Sequence, residues 1–134
     1  MLKDSLKLKG RVGIVLKDKD GNVKETREVD NLVVNAGLDY IASRMKDASA
    51  TAMTHMALGT NSTAAAAGQT ALSAQAGSRE ALDSTTVTSN AVVYVASFEA
   101  GDATGNIVEA GLFNASSGGT MLCRTVFGSV AKQA

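Results

Sequence analysis

The stretch Ile107-Val108-Glu109-Ala110-Gly111-Leu112-Phe113, then Asn114-Ala115-Ser116-Ser117-Gly118-Gly119-Thr120, then Met121-Leu122-Cys123-Arg124-Thr125-Val126-Phe127 decides the fold. Two apolar runs of strand length flank a small polar turn, which is the signature of an antiparallel hairpin. Working outward, Val92 to Val95 follows the turn pair Ser89-Asn90, and Gly101-Asp102-Ala103-Thr104-Gly105 separates it from Ile107. The region from Arg79 to Phe127 thus predicts four short strands in an antiparallel meander.

The N-terminal third carries a different signal. Leu6, Leu8, Val12, Ile14 and Leu16 occupy even positions while Lys7, Lys9, Arg11 and Lys17 occupy odd ones, so a strand here has one apolar and one basic face. Asp20-Gly21 predicts a tight turn, and Val23 to Val29 returns as a polar strand with Lys24, Thr26 and Glu28 on one side. Such a charged strand suits a sheet edge. From Gly37 the period becomes helical: Leu38, Ile41, Ala42 and Met45 fall at i, i+3, i+4 and i+7. The expectation is a helix from about Gly37 to Asp47, with Asn35 as N-cap and the stripe buried on the sheet.

Met53 to Leu58 reads as a short strand, and Thr60 to Gly77 as an extended loop of Ala, Ser, Thr, Gly and Gln with no large apolar stripe. That composition fits a contact loop and a solvated connector equally well. The fold class expected is mainly β, an antiparallel sandwich or meander with an N-terminal hairpin and one short helix. We expect one domain over 1–134: hairpin and helix at about 6–47, loop at about 60–77, meander at about 79–130. Ile14, Leu16, Leu112 and Phe113 are the expected core anchors.

Composition excludes several functions. With 13 basic and 13 acidic residues the formal charge is zero, so no field gathers nucleic acid. The N-terminal basic residues are interleaved with Asp18, Asp20, Glu25, Glu28 and Asp30. A single cysteine forms no internal disulfide, and Met1-Leu2-Lys3-Asp4 lacks the apolar run of a signal peptide, so synthesis in a cytoplasm is expected. No apolar run approaches the roughly 20 residues that span a bilayer.

The chemistry-bearing residues are sparse. Asp18-Lys19-Asp20-Gly21-Asn22 resembles the middle of a calcium loop, but Leu16 and Arg27 then stand where the first and last carboxylate ligands belong. His55 is the only histidine, and a zinc site needs three or four ligands. Cys123, in the alternation Met121, Cys123, Thr125, Phe127, reads as a small packed hydrophobe. No serine elbow or phosphate-binding glycine loop occurs. Glu109 lies in an apolar strand, where pairing with Arg124 or facing water is expected over an isolated buried acid. No catalytic, cofactor-binding or metal residue is assigned, and no cofactor is expected.

Asn31-Leu32-Val33-Val34-Asn35-Ala36-Gly37-Leu38, Met53-Thr54-His55-Met56-Ala57-Leu58-Gly59-Thr60 with Thr70-Ala71-Leu72, and Glu109-Ala110-Gly111-Leu112-Phe113-Asn114 with Gly118-Gly119-Thr120-Met121-Leu122 stand in consistent order. They resemble a family of small virion proteins of tailed bacteriophages, described as tail-fibre-like or accessory structural proteins. The likeness runs from roughly Gly10 to Val130. It implies a β fold and a virion location, with other virion proteins, the major capsid protein or tail proteins, as partners.

Family members generally continue past the position of Ala134 into a further strand, so the expectation is either a sequence cut short of that strand or an open edge near Val126 to Ala134 left for another chain. Three functions follow for comparison: a capsid decoration or cement protein, a tail-fibre or baseplate subunit, and a carbohydrate-binding adhesion module. The last lacks the aromatic platforms sugars need, since aromatics make up 4% of the chain. So little aromatic area also favours a homo-oligomer, a trimer being expected, with the loop Thr60 to Gly77 and the Val126 to Ala134 edge at the interface.

Overall fold

The computed structural model describes residues 7–47 and 50–133. Leu6, the first residue of the expected apolar alternation, and Ala134 lie outside them. Among the described residues, eight strands and one helix follow in the order β1 (Gly10–Lys17), β2 (Val23–Val33), α1 (Asn35–Asp47), β3 (His55–Gly59), β4 (Glu80–Ala81), β5 (Ser84–Thr88), β6 (Ala91–Val95), β7 (Gly105–Phe113) and β8 (Met121–Lys132). Six form one antiparallel sheet in the order β1-β2-β8-β7-β3-β4, while β5 and β6 form a separate two-stranded sheet. The chain is mainly β with an N-terminal hairpin and one short helix, in the class that the alternating runs predict.

Strand β1 alternates as its sequence does. Val12, Ile14 and Leu16 turn inward, and Arg11, Gly13, Val15 and Lys17 face out. Asp18 closes the turn: its Oδ1 accepts from the backbone N–H groups of Asp20 and Asn22, each at 2.9 Å. These backbone donors hold its carboxyl below the usual carboxylate range.

The charged strand β2 is not the edge that its composition suggests. It lies between β1 and β8, and β1 and β4 are the edges. The β2–β8 ladder is only two residues long, Leu32 opposite Arg124 and Val33 opposite Cys123. Beyond it the strands diverge and the β1–β2 hairpin curls over the sheet, so that Ile14, Leu16 and Val29 pack on Ile107, Ala110, Phe127 and Val130. The last strand stands between β2 and β7 in the sheet order, but β2 reaches only its Cys123 and Arg124, so from Val126 to Lys132 it is laddered to β7 alone and its other side is open, where the open edge is expected.

The central strands are covered on both faces. One face carries Val34, Ala57, Phe113 and Met121, with Leu72 from the long loop packed against them. Leu112 points the other way from Phe113 by strand alternation and joins Met53 and Cys123, under Tyr40, Leu82 and Tyr94. Leu112 and Phe113 are thus core anchors at 5% and 1% exposure. Ile14 and Leu16 are half-buried at its rim.

Helix α1 starts two residues before Gly37 and packs through a different face from the one its apolar stripe suggests. Leu38 N–H donates to the Val34 carbonyl, which makes Val34 the capping position and Asn35 the first helical residue. Leu38 and Met45 are exposed at 40% and 71%, and Ala42 is exposed as well, whereas Ile41 of the same stripe is half-buried. The contact is made instead by Gly37, where a Cβ would stand 2.1 Å from the Leu122 carbonyl oxygen. A hydrogen at that position lets the helix backbone approach β8 more closely than any side chain allows, and this turns Leu38 and Met45 outward.

Strands β5 and β6 are joined at Ser89-Asn90, where Ser89 adopts a positive φ of 54°. They do not continue the meander. Strand β6 pairs with β5 alone, and β7 pairs with β8 and β3. Both runs have the period and turn grammar of sheet, and that grammar does not specify which strand lies beside which.

Candidate functional site

The densest polar constellation lies at the sheet centre. Strand β7 places Glu109 opposite Val126, and β8 places Arg124 opposite Gly111, so the two charged residues are diagonal neighbours on one face. Both are fully buried. Glu109 Oε2 accepts from Arg124 Nε at 2.8 Å and lies 2.8 Å from Nη2. The expected pairing is therefore present, in a dry interior rather than facing water.

Neither group is satisfied by the other alone. Arg124 Nη1 donates to the Thr63 carbonyl at 2.8 Å and to Gln69 Oε1 at 3.3 Å, and Nη2 donates to the Asn61 carbonyl at 3.3 Å. With the Nε bond to Glu109 this makes four hydrogen bonds from the guanidinium, beside the ion-pair contact of Nη2 with Glu109 Oε2. Glu109 Oε1 accepts from the backbone N–H of Ala74 at 2.8 Å and of Asn61 at 3.3 Å, and Oε2 from Ser73 N–H at 3.1 Å. Both ends of the loop thus close on one ion pair.

The rest of the loop is tied by its backbone. Thr60 N–H donates to Ala74, Ala76 N–H to Leu58, and Asn35 N–H at the helix start to Ala67. Ala66 N–H donates to Gln69 Oε1, and Gln69 N–H returns to the Ala66 carbonyl. The segment is extended, as its composition predicts, and compact because of these bonds. Gly59 is a second position where only hydrogen fits: a Cβ there would stand 2.4 Å from Glu109 Oε1 and 2.5 Å from the Ala74 carbonyl oxygen.

A second arginine fixes the turn after β7. Arg79 lies 3.5 Å over the Phe113 ring and donates to the carbonyls of Ala115 and Gly118 at 2.9 and 2.8 Å. Asn114 Oδ1 accepts from Thr120 N–H at 2.7 Å across the same turn.

The residues singled out by type are not brought together. His55 Nδ1 shares a hydrogen bond with Thr54 Oγ1 at 2.8 Å, on β3. Cys123 lies two strands away on β8, where burial pushes its thiol up to about 11. A thiol so raised is not a nucleophile near neutral pH. Among the described residues, no group of three or more His, Cys, Asp or Glu could hold a metal ion.

An open cleft of about 450 Å³ sits where the β2–β8 ladder stops, lined in part by Asp30, Leu32, Ala64, Ala65 and Val126. Arg124 contributes to its wall, but each of its three nitrogens is hydrogen-bonded to Glu109 or to the loop. The constellation therefore shapes a loop and presents no free acid, base or nucleophile to the cleft.

The Arg124 clamp on the loop was not legible in the sequence. Its partners are 55 to 63 residues away along the chain, and most are backbone groups, which carry no residue signature. Compared with protein-family models, with curated proteins and with solved structures, the chain gives no match. Among the described residues no helix is long and apolar enough to cross a membrane.

Proposed function

We propose that this chain is a non-enzymatic structural component of a tailed-bacteriophage virion, a capsid decoration or cement protein docked on the major capsid protein. The observation that carries the reading is where the family-like segments fall. Asn31 to Leu38 begins α1, Met53 to Thr60 supplies β3 with Gly59, and Glu109 to Asn114 supplies β7 with the carboxylate that holds the loop. The residues that resemble the family are those that shape the fold. A protein whose buried charges fix a surface, and not a reacting group, is suited to being contacted.

A decoration protein is preferred to a fibre subunit because these residues carry no internal repeat of the kind that builds a fibre shaft. The test is stoichiometry. Quantitative mass spectrometry of purified virions should find this chain in hundreds of copies, on the scale of the major capsid protein. A handful of copies per particle would move it to the tail, and absence from virions would end the reading.

A further inference from the structure

The β5–β6 hairpin is unlike every other part of this sheet protein. All five residues of β5 and four of the five in β6 are exposed, and neither strand is laddered to a third among the described residues. Val87, Val92, Val93 and Val95 are 45–69% exposed. No charged residue occurs from Ser84 to Val95.

Tyr94 alone of the two strands packs on the Leu112 and Cys123 core; a two-stranded hairpin with so little cover is marginal in water, and open strand edges are ordinarily guarded by charge or proline. The edge strand β1 has such guards in Arg11 and Lys17, which face out. Strand β6 has none.

The amount of exposed surface points the same way. A compact monomer of 13.7 kDa exposes about 6,600 Å², whereas this chain exposes 8312 Å². Discounting the nine undescribed residues at the full value of an unfolded chain removes roughly 1,300 Å². The remainder still exceeds that of a compact chain of the remaining size by about 700 Å². A standard interface covers about 800 Å² on each partner. The surplus belongs to the chain as a whole, the cleft beside β8 included, and is large enough to contain one side of one interface.

We propose that the hairpin is a contact between two copies of this chain, joined across a twofold axis by antiparallel pairing of the β6 edges. Such pairing is self-complementary, because a strand edge related by a twofold axis meets an identical edge running the opposite way. With Val93 on the axis, Val93 faces its own copy and Val92 faces Tyr94 of the other chain. These are apolar cross-strand pairs of the kind that stabilise sheets. A charged partner surface is disfavoured, since its ions would be buried against uncharged side chains. The proposal concerns the isolated chain and does not rest on a virion setting.

Sedimentation of the purified full chain tests it. The wild type should sediment as a dimer or a multiple of one, and Val93→Lys as a monomer with unchanged circular dichroism. Ala65→Lys, on the long loop, should leave the dimer intact. Val93→Cys should give a cross-linked dimer on a non-reducing gel after mild copper-phenanthroline oxidation, and this holds as a test even if the lysine variant fails to fold. Cys123, 8% exposed, should give no such product in the wild type. A wild type that stays monomeric at every concentration would overturn the proposal. So would a dimer that survives Val93→Lys, or one that Val93→Cys fails to cross-link.

Discussion

Arg124 and Glu109 meet at 2.8 Å with both side chains wholly out of water, and between them they hold backbone groups of Asn61, Thr63, Ser73 and Ala74. The ion pair is thus the point at which the central β-hairpin and a loop remote in sequence become one structure. Removing either partner strands a buried charge as well as the loop's polar groups.

Glu109→Gln is expected to destabilise the fold by about 3–5 kcal/mol, the range for breaking a buried pair. Replacing both residues, as in Glu109→Leu with Arg124→Met, should not restore stability. The apolar pair removes the charges yet leaves the N–H groups of Asn61, Ser73 and Ala74 and the carbonyl of Thr63 without these partners. Urea denaturation of the two variants checks this. A double variant as stable as the wild type would show that the loop finds other partners without loss.

Gly59→Ala should loosen the same clamp from the opposite side. The added methyl stands within 2.5 Å of both Glu109 Oε1 and the Ala74 carbonyl, and neither the carboxylate nor the backbone has room to yield without losing its hydrogen bonds. Overpacking of this kind costs about 1–3 kcal/mol. Hydrogen exchange should show faster amide exchange at Ser73 and Ala74, with β1 and β2 little changed.

How much of this was legible in the sequence depends on the range of the interaction. The alternation of Val12, Ile14 and Leu16 fixes the buried face of β1, because strand side chains alternate whatever lies beyond. The existence of α1 follows from its period, but its orientation does not. The close approach of Gly37 to Leu122 outweighs the stripe of Leu38 and Met45, and a glycine signals nothing about which backbone it will meet. The Glu109–Arg124 pair could be anticipated from neighbouring strands, whereas the loop that closes over it could not.

The helix orientation gives a prediction of opposite sign to helix propensity. Alanine is the better helix former by about 1 kcal/mol, so at an exposed helical position Gly→Ala stabilises. Gly37→Ala should instead destabilise, because the methyl would overlap the Leu122 carbonyl. Met45→Lys, at a 71% exposed position, should change stability by less than about 0.5 kcal/mol. Thermal melts of the two variants distinguish this packing from one in which the apolar stripe is buried, where Met45→Lys would be the more damaging change.

Cys123 makes the pH dependence of stability specific. Burial raises its thiol from an ordinary 9.0 to about 11, so between these values the unfolded chain loses a proton that the folded chain retains. The unfolded state binds fewer protons there, and stability therefore falls as pH rises from about 9 towards 11, by about 1 kcal/mol per unit at most. Below pH 8 the thiol is protonated in both states and contributes no slope. Lysine and tyrosine side chains titrate in the same window, so the readout is a difference. Chemical denaturation of the wild type and of Cys123→Ala across pH 7 to 11 should show the wild type losing stability more steeply above pH 9, and the two in parallel below pH 8. Parallel curves throughout would mean that the thiol ionises as easily inside the sheet as in water. Rapid alkylation of the folded wild type at pH 8 would carry the same meaning, because a buried thiol raised this far should react only as the protein opens.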